Sequence, residues 1–195
     1  MRARPSAGGK NDASQRILTA AFKCISTRGS ANVSLRDIAD EADVALSQLN
    51  YYYNNRETLF AAVLAVMKKD YIANVEAKME SFPTLKEKAQ FLVHHNRELL
   101  QNNKRLYRAF LDFFGLAMWS KSFQKEMNGF LNDISRIIEH QIDSGASNTG
   151  NAPLHSSAVQ ASLILGTTFG IAMQYLMNPE RQEILEGFDM LLRAL

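Results

Sequence analysis

One cysteine, Cys24, stands among 195 residues. Neither an intramolecular disulfide nor a cysteine-built zinc cluster is therefore available, and the composition suits a reducing compartment. The first residues contain no apolar core of a secretory signal. The longest apolar run, residues 163–173, is broken by Gly166, Thr167, Thr168 and Gly170. It falls short of the ~20 apolar residues that a membrane span requires. A cytoplasmic protein is expected. No stretch alternates apolar and polar residues as a strand does, and no segment repeats. HExxH, GxSxG and phosphate-cradling glycine loops are all missing. An all-α, non-enzymatic chain without metal or cofactor is the expectation.

Net charge is nearly balanced at +2, but its distribution is not. Residues 1–28 hold Arg2, Arg4, Lys10, Arg16, Lys23 and Arg28 against the single acid Asp12. Residues 29–60 hold Arg36 and Arg56 against Asp37, Asp40, Glu41, Asp43 and Glu57. A basic N-terminal end is a modest footprint for a polyanion, and equally an ordinary solvated tail.

The pattern of helix starts and stops predicts about nine helices. Residues 1–11, with Pro5, Gly8 and Gly9, read as a flexible arm. Capping-box spacing at Asp12–Gln15 opens a first helix with Ile17, Ala21, Cys24 and Ile25 on one face, ended by Gly29. Cys24 is thereby placed in the core. Ser34-Leu-Arg-Asp37 opens a short second helix, a third runs to about Tyr53, and Asn54–Glu57 caps a long fourth helix stopped by Pro83. Further helices are predicted over about 85–102, 104–119, 121–144 and 155–177, with a last one from Pro179 to Leu195. Residues 144–153 form the clearest loop. The domains expected are the arm (1–11), a helical head (12–56) and a larger helical bundle (57–195).

Two short helices joined by a tight turn on a three-helix head make a helix-turn-helix. Ala39 and Ala42 allow those helices to cross closely, while Ile38, Val44 and Leu49 fill the space between them. The third helix then exposes Ala45, Leu46, Ser47, Gln48, Asn50 and Tyr51 toward a major groove. The amides of Gln48 and Asn50 can pair with adenine N6 and N7, and Ala45 and Leu46 can meet a thymine methyl. The alternative is that Gln48 and Asn50 are simply solvated. Ser34, at a helix N-terminus, is a candidate phosphate contact, and Arg36 is another by charge alone. Arg2, Arg4 and Lys10 could follow a minor groove.

The string Ser34-Leu35-x-x-Ile38-Ala39-x-x-Ala42-x-Val44, then Leu49-x-Tyr51-Tyr52-Tyr53 and Arg56-Glu57-x-Leu59-Phe60, resembles the TetR family of bacterial transcriptional regulators. The resemblance covers about residues 14–60. It implies a homodimeric repressor of a palindromic operator, with phosphate contacts from Tyr52 and Arg56 and an effector site in the C-terminal bundle. Three positions depart from the family pattern: Asp43 for a turn glycine, Ala45 for a capping Ser or Thr, and Asn50 for a common tyrosine.

For the effector the expected lining is Phe91, His94, His95, Phe110, Phe113, Phe114, Met118, Trp119, Met127 and Met173, a set of soft and aromatic side chains suited to an apolar or planar ligand. Such stripes are also ordinary core. Adjacent positions on a helix turn His94 and His95 apart, so shared metal binding is not expected. For the dimer, Ala158, Ser162, Gly166 and Gly170 form a small-residue ridge at i+4 spacing, with Phe169, Tyr175, Phe188 and Leu192 adding apolar surface. An internal helix crossing would use the same ridge. Two other classes compete with a regulator: an enzyme, for which no nucleophile–base pair is in evidence, and a helix-turn-helix adaptor, to which the acidic second helix lends some standing.

Overall fold

The computed structural model describes residues 7–149 and 155–194, with side chains at 12–84, 87–144 and 155–193. Among them are nine α-helices and no strand: α1 Ala7–Arg28, α2 Leu35–Glu41, α3 Leu46–Tyr52, α4 Arg56–Met79, α5 Leu85–Asn102, α6 Lys104–Ala117, α7 Lys121–Thr149, α8 Ser157–Met177 and α9 Glu186–Ala194. Short 3-10 turns precede α2 (Ser30–Asn32) and α9 (Gln182–Leu185).

Local chemistry explains most boundaries. Ser34 and Asp37 form a reciprocal capping box at α2: the Asp37 amide donates to Ser34 Oγ at 3.1 Å and the Ser34 amide to Asp37 Oδ2 at 2.8 Å. Thr84 and Glu87 do the same for α5. At α4 the cap is Asn55 with Thr58, one residue later than the sequence spacing indicated. The Thr58 amide donates to Asn55 Oδ1 at 2.9 Å, and the Asn55 amide to Thr58 Oγ1 at 3.2 Å.

Three ends differ from expectation. Helix α1 begins at Ala7, so residues 7–11 of the anticipated arm are helical; no proline lies within Ala7–Arg28 to stop the helix. Residues 1–6, with Arg2 and Arg4, lie outside the described residues. Helix α7 continues to Thr149, shortening the anticipated loop. The final helix starts only at Glu186, after the 3-10 turn.

Packing divides the chain into two compact units, Met1–Met67 with Arg108–Met127, and Lys68–Tyr107 with Asn128–Leu195. The first is larger than the anticipated head, because segments of α6 and α7 belong to it. Its buried side chains include Ile17, Ile38, Leu49, Leu59 and Phe60 together with Phe110, Phe113, Phe123 and Met127. Helix α1 packs on α2 and α3, and α2 on α3. Helical periodicity shows that an α6 face is buried, but not against which part of the chain.

In the second unit, α5, α8 and α9 pack on one another. Val93, Leu100, Tyr107, Ile171, Ala172, Tyr175, Leu185, Phe188 and Leu191 form its core. Asn96 Oδ1 accepts from both the Tyr71 hydroxyl (3.1 Å) and the Tyr107 hydroxyl (2.5 Å). Burial pushes the Tyr71 pKa up to about 12. Arg97 joins α5 to α9 through both oxygens of Asp189, at 3.1 and 3.2 Å. The uncharged stretch of α8 proved longer than the apolar run suggested. It is long and apolar enough to cross a membrane, and it is packed here through Ala161, Thr168, Ile171, Ala172 and Tyr175.

Candidate nucleic-acid interface

The geometry of the turn between α2 and α3 decides what α3 can present. Asp43 adopts a left-handed conformation, φ 52, where the short polar side chain of Asp is better tolerated than most. The turn is held by the Val44 amide donating to Ala39 O at 3.0 Å. Arg16, reaching across from α1, donates to the carbonyls of Ala42 (3.2 Å) and Asp43 (3.5 Å). Charge on Arg16 thus buttresses the turn. Replacing Asp43 by glycine removes the left-handed penalty, about 1 kcal/mol, and is expected to raise the melting temperature by about 2–4 °C. Differential scanning calorimetry checks this; no change or a fall would mean that the aspartate is unstrained.

Helix α3 is anchored by Leu49, which is fully buried. Around it Ala45, Ser47, Gln48, Asn50 and Tyr51 are exposed and Leu46 is half-buried. All six expected readers therefore share the solvent-facing side or its margin. Ala45 contributes no side-chain cap hydrogen bond, as its methyl side chain dictates. Tyr51 meets Tyr52 edge-on at 5.4 Å, and Tyr53, behind them, shares a 3.0 Å hydrogen bond with Ser14 of α1.

The phosphate candidates are placed less uniformly. Arg36 is exposed and makes no ion pair among the described residues. Tyr52 is half-buried. Ser34 is occupied by its capping box: its hydroxyl donates to Asp37 Oδ2 at 2.5 Å, and that carboxylate sits where an external anion would bind. Hydrogen bonds from Ser34 hold the Asp37 pKa below the usual carboxylate range. Arg56 is exposed, yet it donates to the Ser30 carbonyl and lies 4.8 Å from the Phe60 ring centroid.

Much of the N-terminal basic charge has internal partners. Lys23 pairs with Glu41 at 2.5 Å and Arg28 with Asp37 at 3.4 Å. These pairs tie α1 to the acidic α2. Composition could not show this, because a lysine count does not reveal the lysine's neighbour.

Residues 17–63 match the family model of bacterial regulatory proteins, tetR family. Over this segment the chain is similar to the TetR family. A helix-turn-helix-type transcriptional regulator in the dhlA 5' region of Xanthobacter autotrophicus is 25% identical over 187 residues, covering 90% of this chain and 86% of the relative. Among solved structures, the chain resembles the transcriptional regulator FadR of Bacillus subtilis in complex with stearoyl-CoA (TM-score 0.79, 18% identity, 92% of this chain and 96% of that one). It also resembles a transcriptional regulator of Saccharomonospora viridis in complex with choline (TM-score 0.83, 18% identity, 94% and 95%). At that identity the two structures establish the fold. The matched segment is that of bacterial regulatory proteins, and the X. autotrophicus relative is a transcriptional regulator.

The ten expected effector residues fall in both units. Phe110, Phe113, Phe114, Met118, Trp119 and Met127 belong to the first unit, and Phe91, His94, His95 and Met173 to the second. Phe110, Phe113 and Met127 are buried, with Phe113 stacked on Phe123 at 5.9 Å, and Phe114 is half-buried. Met118 and Trp119 follow the end of α6 and point outward, Trp119 being 93% exposed. Phe91 is stacked between Phe82 and His95, each at 5.3 Å. His95 is buried, which lowers its pKa, whereas His94 is exposed.

A cavity of about 640 Å³ does exist in the second unit, lined by other residues. Leu92 and Val93 of α5, Ile138 and Ile142 of α7, Ile164 of α8 and Leu192 of α9 supply most of its apolar wall. Gln90, Gln141, Gln160 and Arg193 supply its polar groups. Aliphatic residues on four helices gave no compositional signal comparable to the aromatic stripe.

The expected dimer residues also separate. Tyr175 and Phe188 are buried in the core of their own unit, and Leu192 lines the cavity. They cannot form a protomer's outer face: the apolar period of α9 marks a buried face without naming its partner. Ala158, Ser162 and Gly166 are exposed, and Gly170 and Phe169 half-buried. Beside the ridge lies a stripe that sequence reading did not isolate. Val159, Leu163, Gly166, Gly170, Met173 and Met177 recur at spacings of four and three along α8, the seam spacing of paired helices. Val159, Leu163, Met173 and Met177 are all exposed, as is Met190 on α9. Cβ atoms placed on Gly166 or Gly170 would meet nothing within 4 Å.

Proposed function

We propose that the protein is a homodimeric repressor that reads a palindromic operator through α3, and that a small apolar molecule entering the second unit releases it. The observation that carries the DNA reading is the arrangement of α3: Leu49 buried as the anchor, with Ala45, Ser47, Gln48, Asn50 and Tyr51 exposed around it. Gln48 and Asn50 act as adenine readers, with Ala45 and Leu46 available to thymine methyls. Arg36 and Tyr52 act on the phosphates. Ser34 and Arg56, engaged elsewhere, contribute by positioning α2 and the turn before it.

Pairing through the α8 stripe supports the two-fold arrangement. It covers side chains that are apolar and exposed in the protomer, and the glycines permit close approach. A two-fold dimer sets its recognition helices about one DNA turn, ~34 Å, apart or somewhat more. The effector site proposed is the α5–α7–α8–α9 cavity, whose size and apolar wall lie within the range of small-molecule sites. Stearoyl-CoA and choline, held by the B. subtilis and S. viridis neighbours, support a small-molecule role for this body. A ligand changes DNA affinity only by binding the released state better than the DNA-bound one. The cytoplasm is the compartment in which such a regulator works.

Filling the cavity tests the ligand assignment. The probes are a panel of apolar molecules, straight-chain fatty acids and stearoyl-CoA among them, titrated against a protein–DNA complex. At least one is expected to weaken DNA binding by the wild type, and Ile164→Trp is expected to abolish that response while keeping DNA affinity. Equal responses in both proteins would place the effector elsewhere.

A further inference from the structure

Ser30 is a serine only 2% exposed, in the 3-10 turn that joins α1 to the helix-turn-helix. Gly29 before it has φ 79, so the chain reverses sharply there. Every polar group of Ser30 is engaged. Its amide donates to Asp112 Oδ2, its hydroxyl donates to Asp112 Oδ1 at 2.8 Å, and its carbonyl accepts from Arg56. Asp112 belongs to α6, 82 residues away. A second polar bridge runs nearby, from the Ser120 hydroxyl after α6 to Glu57 Oε1 at the start of α4.

We infer that Asp112 is a positioning residue for DNA binding: by chelating the amide and hydroxyl of Ser30 it fixes the turn from which α2 and α3 are projected. The carboxylate is suited to this because it offers two acceptors to two donors, one oxygen to each. An amide in its place presents a donor to one of them. The turn is held from α4 as well, by Arg56, but Asp112 links it directly to α6. The consequence for DNA affinity rests on the function proposed above; the ordering of the turn does not.

The test uses the full-length protein with Asp112→Asn, Asp112→Ala and Ser30→Ala, and has two readouts. Amide hydrogen exchange over residues 29–44 is expected to rise at least tenfold in Asp112→Asn, with exchange in α8 and α9 unchanged. Affinity for a duplex selected from a random pool is expected to fall at least tenfold, and Ser30→Ala, which deletes one of the two bonds, to lie between. Combining Ser30→Ala with Asp112→Asn should give less than the sum of the separate effects, since both act on one pair. Unchanged exchange over 29–44 would overturn the inference whatever the DNA result. So would raised exchange with wild-type DNA affinity in the folded protein, because Asp112 would then be merely structural. Should Asp112→Asn fail to fold, Ser30→Ala decides by the same two readouts. A wild type that selects no duplex would contradict the proposed function, while exchange would still decide the role of Asp112.

Discussion

Replacing Gln48 by alanine is expected to lower affinity for the selected duplex by roughly 5- to 150-fold, the equivalent of the ~1–3 kcal/mol carried by one bidentate base contact. Asn50→Ala should act on the same scale at a different base pair. Both side chains are exposed and lie on the outer side of α3, so neither change should alter the melting temperature. Affinity for unrelated DNA should change little, because phosphate contacts supply most of it. Leu49→Ala makes the opposite control. That leucine is fully buried, and its truncation is expected to cost ~2–5 kcal/mol of stability. Fluorescence anisotropy against selected and scrambled duplexes separates the outcomes. If Gln48→Ala and Asn50→Ala both retain full preference for the selected sequence, α3 does not read bases through these amides.

The second large effect is expected at the α8 stripe. Leu163 is 68% exposed in the protomer, and pairing with a second copy would bury it. Leu163→Glu would then place an unpaired carboxylate in an apolar seam, a cost of several kcal/mol. Sedimentation velocity should find a monomer where the wild type is a dimer, with DNA affinity reduced by about 100-fold or more as one half-site is lost, ~2.7 kcal/mol or more. The protomer's helix content should persist, since Leu163 is mostly exposed and its replacement removes little internal packing. A Leu163→Glu protein that remains dimeric would show that the copies meet elsewhere, or that the stripe serves another partner.

The head was legible in the sequence because its signals are local. Capping at Ser34–Asp37, the small pair Ala39 and Ala42 and the anchor Leu49 each depend on residues within one or two turns. They fix both the frame and the exposed face of α3. Asp43 was readable for the same reason, since a left-handed turn residue is a property of one position. What the sequence hid depends on distant neighbours. Arg16, Lys23 and Arg28 read equally as a polyanion footprint or a solvated tail, whereas the structure sets them beside the turn carbonyls, Glu41 and Asp37. Ser30 gives no sign in the sequence that its partner is Asp112. Tyr175 and Phe188 carry the same helical period whether they meet their own bundle or a second copy. The aromatic stripe of α6 misled for a related reason: Phe113 fills a core, Trp119 faces outward, and the cavity is built from aliphatic residues of α5, α7, α8 and α9.

Selection of duplex DNA from a random pool by the full-length protein tests the central claim most directly. The expected product is a palindrome with two half-sites about one helical turn apart, or somewhat more, bound with an affinity that falls steeply as salt rises. Adenines are expected at the positions whose preference disappears with Gln48→Ala or Asn50→Ala. A pool that remains random after repeated rounds, bound with the same affinity as unrelated DNA, would contradict the assignment of α3 as a sequence reader.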